Sequence, residues 1–241
     1  MIRALAALVL IAAATPAMAD CEDLTHKGTS FTVCEVTADE DLRLWHSDAD
    51  GQLYGSFAAV DAALGDDETI GFAMNAGMYH QDRRPVGLHI EEYREFAPLV
   101  DGGGYGNFGL VPNGVFCATN DSFAVIETNT FRADTPDCRF ATQSGPMLVV
   151  DGELHPKFIP DSDSRNIRNG VGVSRDGTSA IFAISNRAVN FHDFATLFRD
   201  RFGYPNALYF DGKVSRLFVP ELDRSDSGFP LGPIIGTVVP R

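Results

Sequence analysis

The chain has 241 residues, 44% of them hydrophobic, and sets 19 Lys and Arg against 33 Asp and Glu for a net charge of −14. That length and apolar content suffice for one large domain with its own core. A surface this acidic repels nucleic acid and anionic membranes, which are bound through an excess of Lys and Arg, so neither is expected as a partner.

The chain opens with Arg3, an apolar run from Ala4 to Ala14 and an A-x-A cleavage site at Ala17-Met18-Ala19. The run is too short for a stable membrane span, and no later stretch is long and apolar enough to insert. The expectation is a cleavable export signal over 1–19 and one folded domain over 20–241, delivered to a periplasm or secreted. Loss of Arg3 with the signal takes the charge from −14 to −15. Four cysteines remain, Cys21, Cys34, Cys117 and Cys138. An even set in an oxidising compartment suggests two disulfides, and of three connectivities Cys21–Cys34 and Cys117–Cys138 are favoured because each closes a short local loop.

Short apolar-alternating runs follow one another: "FTVCEV", "LRLWHS", "TIGFAM", "VGLHIE", "SFAVIET", "PMLVVDGEL", "GVGVSRDGTSAIFAIS", "ALYFDGKVSRLFV" and "IIGTVV". Turn residues separate them, which is the pattern of a sheet-rich domain. Asp50-Gly51, Asp151-Gly152 and Asp176-Gly177 sit between such runs and read as hairpin turns, with Asp211-Gly212 as a fourth. Two helices are expected. "GSFAAVDAALG" is capped by Ser56 and stops at Gly65. "NFHDFATLFRDRFG" is capped by Asn190, ends at Gly203 and lines up Phe191, Phe194, Phe198 and Phe202 as a core stripe. The fold class is therefore α+β: a strand-rich single domain of mixed or antiparallel sheets with a few packed helices.

Several motifs point nowhere. "GYGNFG" matches G-x-G-x-x-G, yet "LVPNGVF" follows it with Pro112 and strand residues instead of a helix, so it reads as a glycine-rich loop and not a dinucleotide site. "DSDS" lacks the later ligands of a calcium loop. No C-x-x-C pair, H-E-x-x-H or G-x-S-x-G occurs, so no metal, cofactor or serine-nucleophile site is read from the chain. "QSGP", with Gln143 and Ser144, reads alone as a tight turn.

Three places hold more. "FAMNAGMY" puts Asn75 at the end of an apolar strand, with Gly77 and Tyr79 just beyond. "SRNIRNGVGV" places Arg165 and Arg168 before a strand in a chain poor in cations, and Arg suits bidentate phosphate or carboxylate recognition. "NALYFDGKVS" ends a buried strand on Asp211, where carboxylates acquire shifted pKa values.

Together "MNAGMY", "PVGLHIE", "GNFGLVPNGVF", "ATQSGPMLVVDGELHPKF", "IRNGVGVSRDG", "VNFHDFATLFRDRFG", "ALYFDGKVS" and "LGPIIGTVV" resemble the phosphodiester glycosidase family, from about residue 70 to the C-terminus. The chain departs from the family's usual Asn-Gly-Gly-Phe-Phe at Asn75–Tyr79, from Asp-Gly-Gly-x-Ser at Asp211–Ser215, and from Arg-Thr at Arg168-Asn169. The resemblance implies a hydrolase that cleaves the bond between a sugar C1 and a phosphate oxygen, with a sugar phosphodiester or envelope glycan as substrate and no cofactor. It implies Asp211 as base or nucleophile, Arg168 as phosphate clamp, and Asn75, Gln143 and Asn169 as orienting groups. Gly77, Tyr79, Ser144, Gly212 and Ser215 would complete the substrate site, with Glu91 and His89 as reserve acid–base groups. Two other classes fit the same residues: a metal-dependent phosphodiesterase and a non-catalytic glycan-binding domain.

Overall fold

The computed structural model describes residues 19–103 and 106–241. The expected export signal lies outside the described residues except for Ala19, as do Gly104 and Tyr105 of the glycine-rich loop.

Three sheets, antiparallel throughout, form the described molecule. The largest runs in the order Asp20–His26, Thr29–Thr37, Ser179–Ser185, Asn169–Val173, Asn206–Asp211, Met147–Val150, Glu153–Leu154. A second runs Arg224–Ser225, Leu217–Val219, Glu68–Asn75, Ile234–Pro240, Leu42–Trp45. The third runs Arg94–Ala97, His89–Glu91, Phe140–Ser144, Gly114–Ala118, Phe123–Glu127. The α+β reading from sequence is thus met.

The sheets meet on three phenylalanines. Phe182 of the first sheet lies 5.3 Å from Phe72 of the second and 5.5 Å from Phe116 of the third, measured between ring centroids. All three rings are at most 1% exposed, and each contributes on the order of 2–3 kcal/mol of apolar burial. The strands are covered on their outer faces as well. Phe194 and Phe198 pack on Phe31, Val33 and Ile181 behind the first sheet, while Phe57 and Val60 pack on Ile70 behind the second. Burial on both faces is why strands such as "AIFAIS" read as continuous apolar runs instead of strict alternation.

Each expected disulfide is present. Cys21 and Cys34 face each other across the first antiparallel pair, and Cys117 joins Cys138 on the outer face of the third sheet. Asp151-Gly152 and Asp176-Gly177 turn hairpins, with both Asp151 and Gly152 at positive φ, as a primed turn requires. Asp211-Gly212 is not a hairpin turn. The strand ending at Asp211 belongs to the first sheet, and the next, Leu217–Val219, belongs to the second, so the intervening loop crosses between sheets.

The helices are shorter than their sequence patterns. Ser56 caps Phe57–Asp61 by accepting from the Ala59 N–H, but the helix stops well before Gly65. Asn190 caps Phe191–Thr196, which continues as a π-helical turn over Leu197–Arg201 and ends at Gly203 with φ +70°. A further helix, Thr128–Ala133, was not expected; its cap is Glu127, which accepts from the Asn129 and Thr130 N–H groups.

Candidate active site

The three sheets bring their strand ends to one place. Glu68–Asn75 of the second sheet ends there, Phe140–Ser144 of the third ends there, and in the first sheet Asn169 opens one strand opposite Asp211, which closes its neighbour. The register slips between Asn169 and Gly170, a bulge that frees the last rung from regular pairing.

Behind this junction lies a buried polar network. The Asn169 amide donates to the Asn75 backbone carbonyl (2.8 Å) and to its side-chain oxygen (3.2 Å), and the Asn169 oxygen accepts from the Asp211 N–H (3.2 Å). The Asn75 oxygen also accepts from the Arg216 N–H (2.9 Å). Ser215 donates to the Asp211 carbonyl (2.6 Å), and Ser144 to the Phe210 carbonyl (2.9 Å). Asn75, Asn169 and Ser144 are 0% exposed. Side chains of all three sheets thus fix the Phe210–Asp211 backbone, Asn75 through Asn169, and Asn75, expected to orient substrate, spends its amide inside the protein.

In front of the junction is a cavity of about 630 Å³, lined by Asp211, Gly212 and Lys213, by Tyr79 and by Asn107 and Asn166, among others. The Asp211 Oδ1 accepts from the Gly212 N–H (2.6 Å) and the Lys213 N–H (2.9 Å), which fixes the carboxylate while no described protein donor bonds Oδ2. Burial pushes the Asp211 carboxyl above its ordinary value, against the pull of those N–H groups, of the Lys213 charge and of the Val214 N–H. Burial, and next the Asp211 charge, push the Tyr79 hydroxyl up to about 12, so it stays a neutral donor at neutral pH, bonded at 3.3 Å to the Pro230 carbonyl. Gly212 has no room for a Cβ, which would collide with the Tyr209 hydroxyl.

Arg168 is not among the residues that line this cavity. It is 1% exposed, its Nε donates to the Val189 carbonyl (2.8 Å) and its Nη2 to the Ser164 carbonyl (3.0 Å), and its guanidinium carbon sits 3.6 Å from the Phe191 ring centroid. A free phosphate clamp at Arg168 is thus replaced by a braced cation. It reaches the cavity wall through the Tyr209 hydroxyl, which accepts from Arg168 Nη1 (3.4 Å) and from the Asn107 amide (3.5 Å). Phe191, expected as plain core, is the shelf under that cation and stacks in turn on Phe158 at 5.0 Å.

The other expected site residues divide clearly. Tyr79 and Gly212 line the cavity. Gly77 serves chain approach: a Cβ there would come within 2.5 Å of the Thr142 hydroxyl. Gln143 spends its amide internally, accepting from the Leu88 and Val100 N–H groups (3.1 Å each) and donating to the Val100 carbonyl (2.8 Å). His89 and Glu91 pair with each other at 2.6 Å, and neither lines the cavity with Asp211. Lys213, Asn107, Phe108 and Asn166 line it without having been singled out. Adjacency to "DG", to the glycine-rich loop and to "IRNG" was the signal available for them. Among the described residues, no three His, Cys, Asp or Glu side chains gather as a metal-holding group.

A rigidly held, partly buried carboxylate with one free oxygen in an open cavity of mixed apolar and polar lining suits proton abstraction or attack at an electrophilic carbon. The family profile of the phosphodiester glycosidases matches residues 68–232. The chain is 33% identical over 219 residues to the uncharacterized protein YigE of Escherichia coli (strain K12), covering 90% of this chain and 85% of that one. Its fold is similar to the zebrafish N-acetylglucosamine-1-phosphodiester alpha-N-acetylglucosaminidase catalytic domain auto-inhibited by pro-peptide, with a TM-score of 0.59 at 13% identity over 90% of this chain and 81% of that one. With most of its length matched by that profile, the chain belongs to the phosphodiester glycosidase family.

Proposed function

We propose that this protein is an exported hydrolase that cleaves the sugar C1–O bond of a glycosyl-1-phosphodiester, of which an N-acetylglucosamine-1-phosphodiester is the model substrate. The observation that carries this reading is Asp211, with its one unbonded carboxylate oxygen in the 630 Å³ cavity. Family membership supports the reaction class, and two disulfides fit an oxidising compartment.

In this reading Asp211 Oδ2 takes a proton from a water that attacks C1, or attacks C1 itself to form a glycosyl ester that water then hydrolyses; either way the C1–O bond breaks and its electron pair leaves with the phosphate. A phosphate monoester has a second pKa near ~6, so it departs without a strong acid. One carboxylate then does what ordinary glycosidases divide between two. Lys213, in the cavity lining beside Asp211, supplies a positive charge to the leaving phosphate. Arg168 adds a second positive charge behind the wall, oriented through Tyr209 and Asn107. Tyr79, Asn107 and Asn166 offer donors to sugar hydroxyls, while Asn75 and Asn169 position the Asp211 backbone.

Hydrolysis in oxygen-18 water, with and without a chelator, tests the bond. Label in the sugar supports cleavage at C1. Label in the phosphate that disappears with chelator means a metal-dependent phosphodiesterase, and binding of the glycan without turnover means a recognition domain.

A further inference from the structure

The loop that carries Asp211 is a wall between two cavities. Asn166 and Val214 line the first, and their chain neighbours Ile167 and Ser215 line the second, a cavity of about 500 Å³ that also takes in Ser185, Arg216, Arg224 and Asp226. The second cavity is polar in the opposite sense to the rest of this acidic chain. Its cations divide unequally. Arg224 is neutralised: its Nε and Nη2 lie 3.1 and 2.9 Å from the two Asp226 oxygens, and its Nη1 bonds Thr32 and Asn186 at 2.7 Å. Asp226 is held further, because its Oδ2 also accepts from the Leu217 N–H at 2.9 Å. The other nearby acid, Asp23, is occupied by Thr32 and Asn186.

Among the described residues Arg216 has no such carboxylate bond, although the Asp226 charge still acts on it. Its Nε donates to the Asp226 backbone carbonyl (3.1 Å) and its Nη1 to the Phe229 carbonyl, and neither Asp23 nor Asp226 gives it a carboxylate oxygen. Those two carbonyls and the Phe57 ring, 5.4 Å from its guanidinium carbon, hold the group in place. Its Nη2 makes no hydrogen bond to any of the described residues. A guanidinium that is held, partly desolvated and unpaired, beside serine hydroxyls, is built to receive a tetrahedral oxyanion. A carboxylate would satisfy the fork equally, but the hydroxyls of Ser225 and Ser227, which also line the cavity, suit an anion with more than two acceptor oxygens.

We infer that the Arg216 cavity is a second binding site, separate from the Asp211 cavity, for a phosphate group, either free phosphate or a phosphate monoester. The inference does not depend on which bond the Asp211 cavity cleaves. The site is tied to that cavity, since the Arg216 N–H is bonded to Asn75, and Asn75 through Asn169 to the Asp211 N–H.

Calorimetric titration of the whole protein with inorganic phosphate, and separately with glycerol phosphate, tests it. Wild-type protein is expected to bind at least one of the two. Binding of both means the site takes free phosphate, and binding of glycerol phosphate alone means it takes a monoester. Arg216→Gln should weaken binding roughly tenfold or more, while Arg216→Lys, which keeps the charge, should lose less. Ser227→Asp, at an exposed position that bears no fold contact argued above, should abolish binding by repulsion and covers the case in which Arg216→Gln does not fold. In Lys213→Gln, which removes the cation of the Asp211 cavity, the binding that Arg216→Gln weakens should persist. No binding of either anion up to about 20 mM, far above the ~1 mM scale of weak ligands, overturns the inference. So does loss in Lys213→Gln with retention in Arg216→Gln, which would place the anion in the Asp211 cavity.

Discussion

At the residue scale the account turns on how Asp211 is held. Two backbone N–H groups on one oxygen orient the carboxylate, and burial makes it a stronger base than a surface aspartate. The sign follows directly. A base must be ionised to act, so kcat/KM rises with pH as the free-enzyme carboxyl ionises. Because burial raises that pKa from 3.8, the acid limb of the pH–rate profile is expected above pH 3.8, and a limb at or below that value would contradict the assignment. Asn75 acts one bond further back. Asn75→Ala leaves the Arg216 N–H without its acceptor and takes from the buried Asn169 amide its side-chain partner, leaving it the Asn75 backbone carbonyl alone. A loss of about 2–3 kcal/mol in urea unfolding is expected, with turnover falling through displacement of Asp211.

At the element scale, the strand ends place the site and the helices brace it. Asn75 and Asp211 were legible because a polar residue closing an apolar run is a conspicuous break in pattern. The direction in which each points was not legible. Asn75 ends a strand that a neighbour covers, so its amide is consumed by Asn169 and Arg216, whereas Asp211 ends a strand on an open loop. Gln143 and Ser144 were misjudged for the same reason. They sit in "QSGP" as turn residues do, yet their partners, Leu88, Val100 and Phe210, are distant in sequence. The Phe191 helix was read correctly as amphipathic, but nothing local shows that Arg168 stacks on its first ring. Arg168→Met keeps much of the volume while leaving the Ser164 carbonyl unbonded and the Val189 carbonyl with the Asn166 N–H alone. A cost of about 2–3 kcal/mol is expected by denaturant titration, and a variant as stable as wild type would show that the braced cation does not support the fold.

At the scale of the whole molecule, three sheets share one core, and the cross-links stand at its margins. Cys21–Cys34 spans 13 residues and Cys117–Cys138 spans 21, so loop entropy assigns each about 3 kcal/mol. Cys117→Ser with Cys138→Ser should lower the unfolding free energy by about that amount while the Asp211 cavity keeps its turnover; turnover lost in a folded double variant would mean that the third sheet's outer face reaches the site. The sheet-rich class and both disulfides were legible because strand alternation, Asp-Gly turns and cysteine spacing are local signals. The grouping of the strands into three sheets was not. It depends on pairings such as Glu68–Asn75 with Ile234–Pro240, and on the Asp211–Ser215 loop crossing between sheets where a hairpin was expected.

The most direct test of the central claim is kcat/KM for Asp211→Asn on an N-acetylglucosamine-1-phosphodiester, measured beside the wild-type protein and with unfolding curves for both. Asparagine keeps the acceptor for the Gly212 and Lys213 N–H groups but removes the base. The account predicts an intact fold and a loss of roughly 10³-fold, within the range that general-base groups supply. A folded Asp211→Asn protein with near wild-type turnover would contradict it and move the chemistry elsewhere.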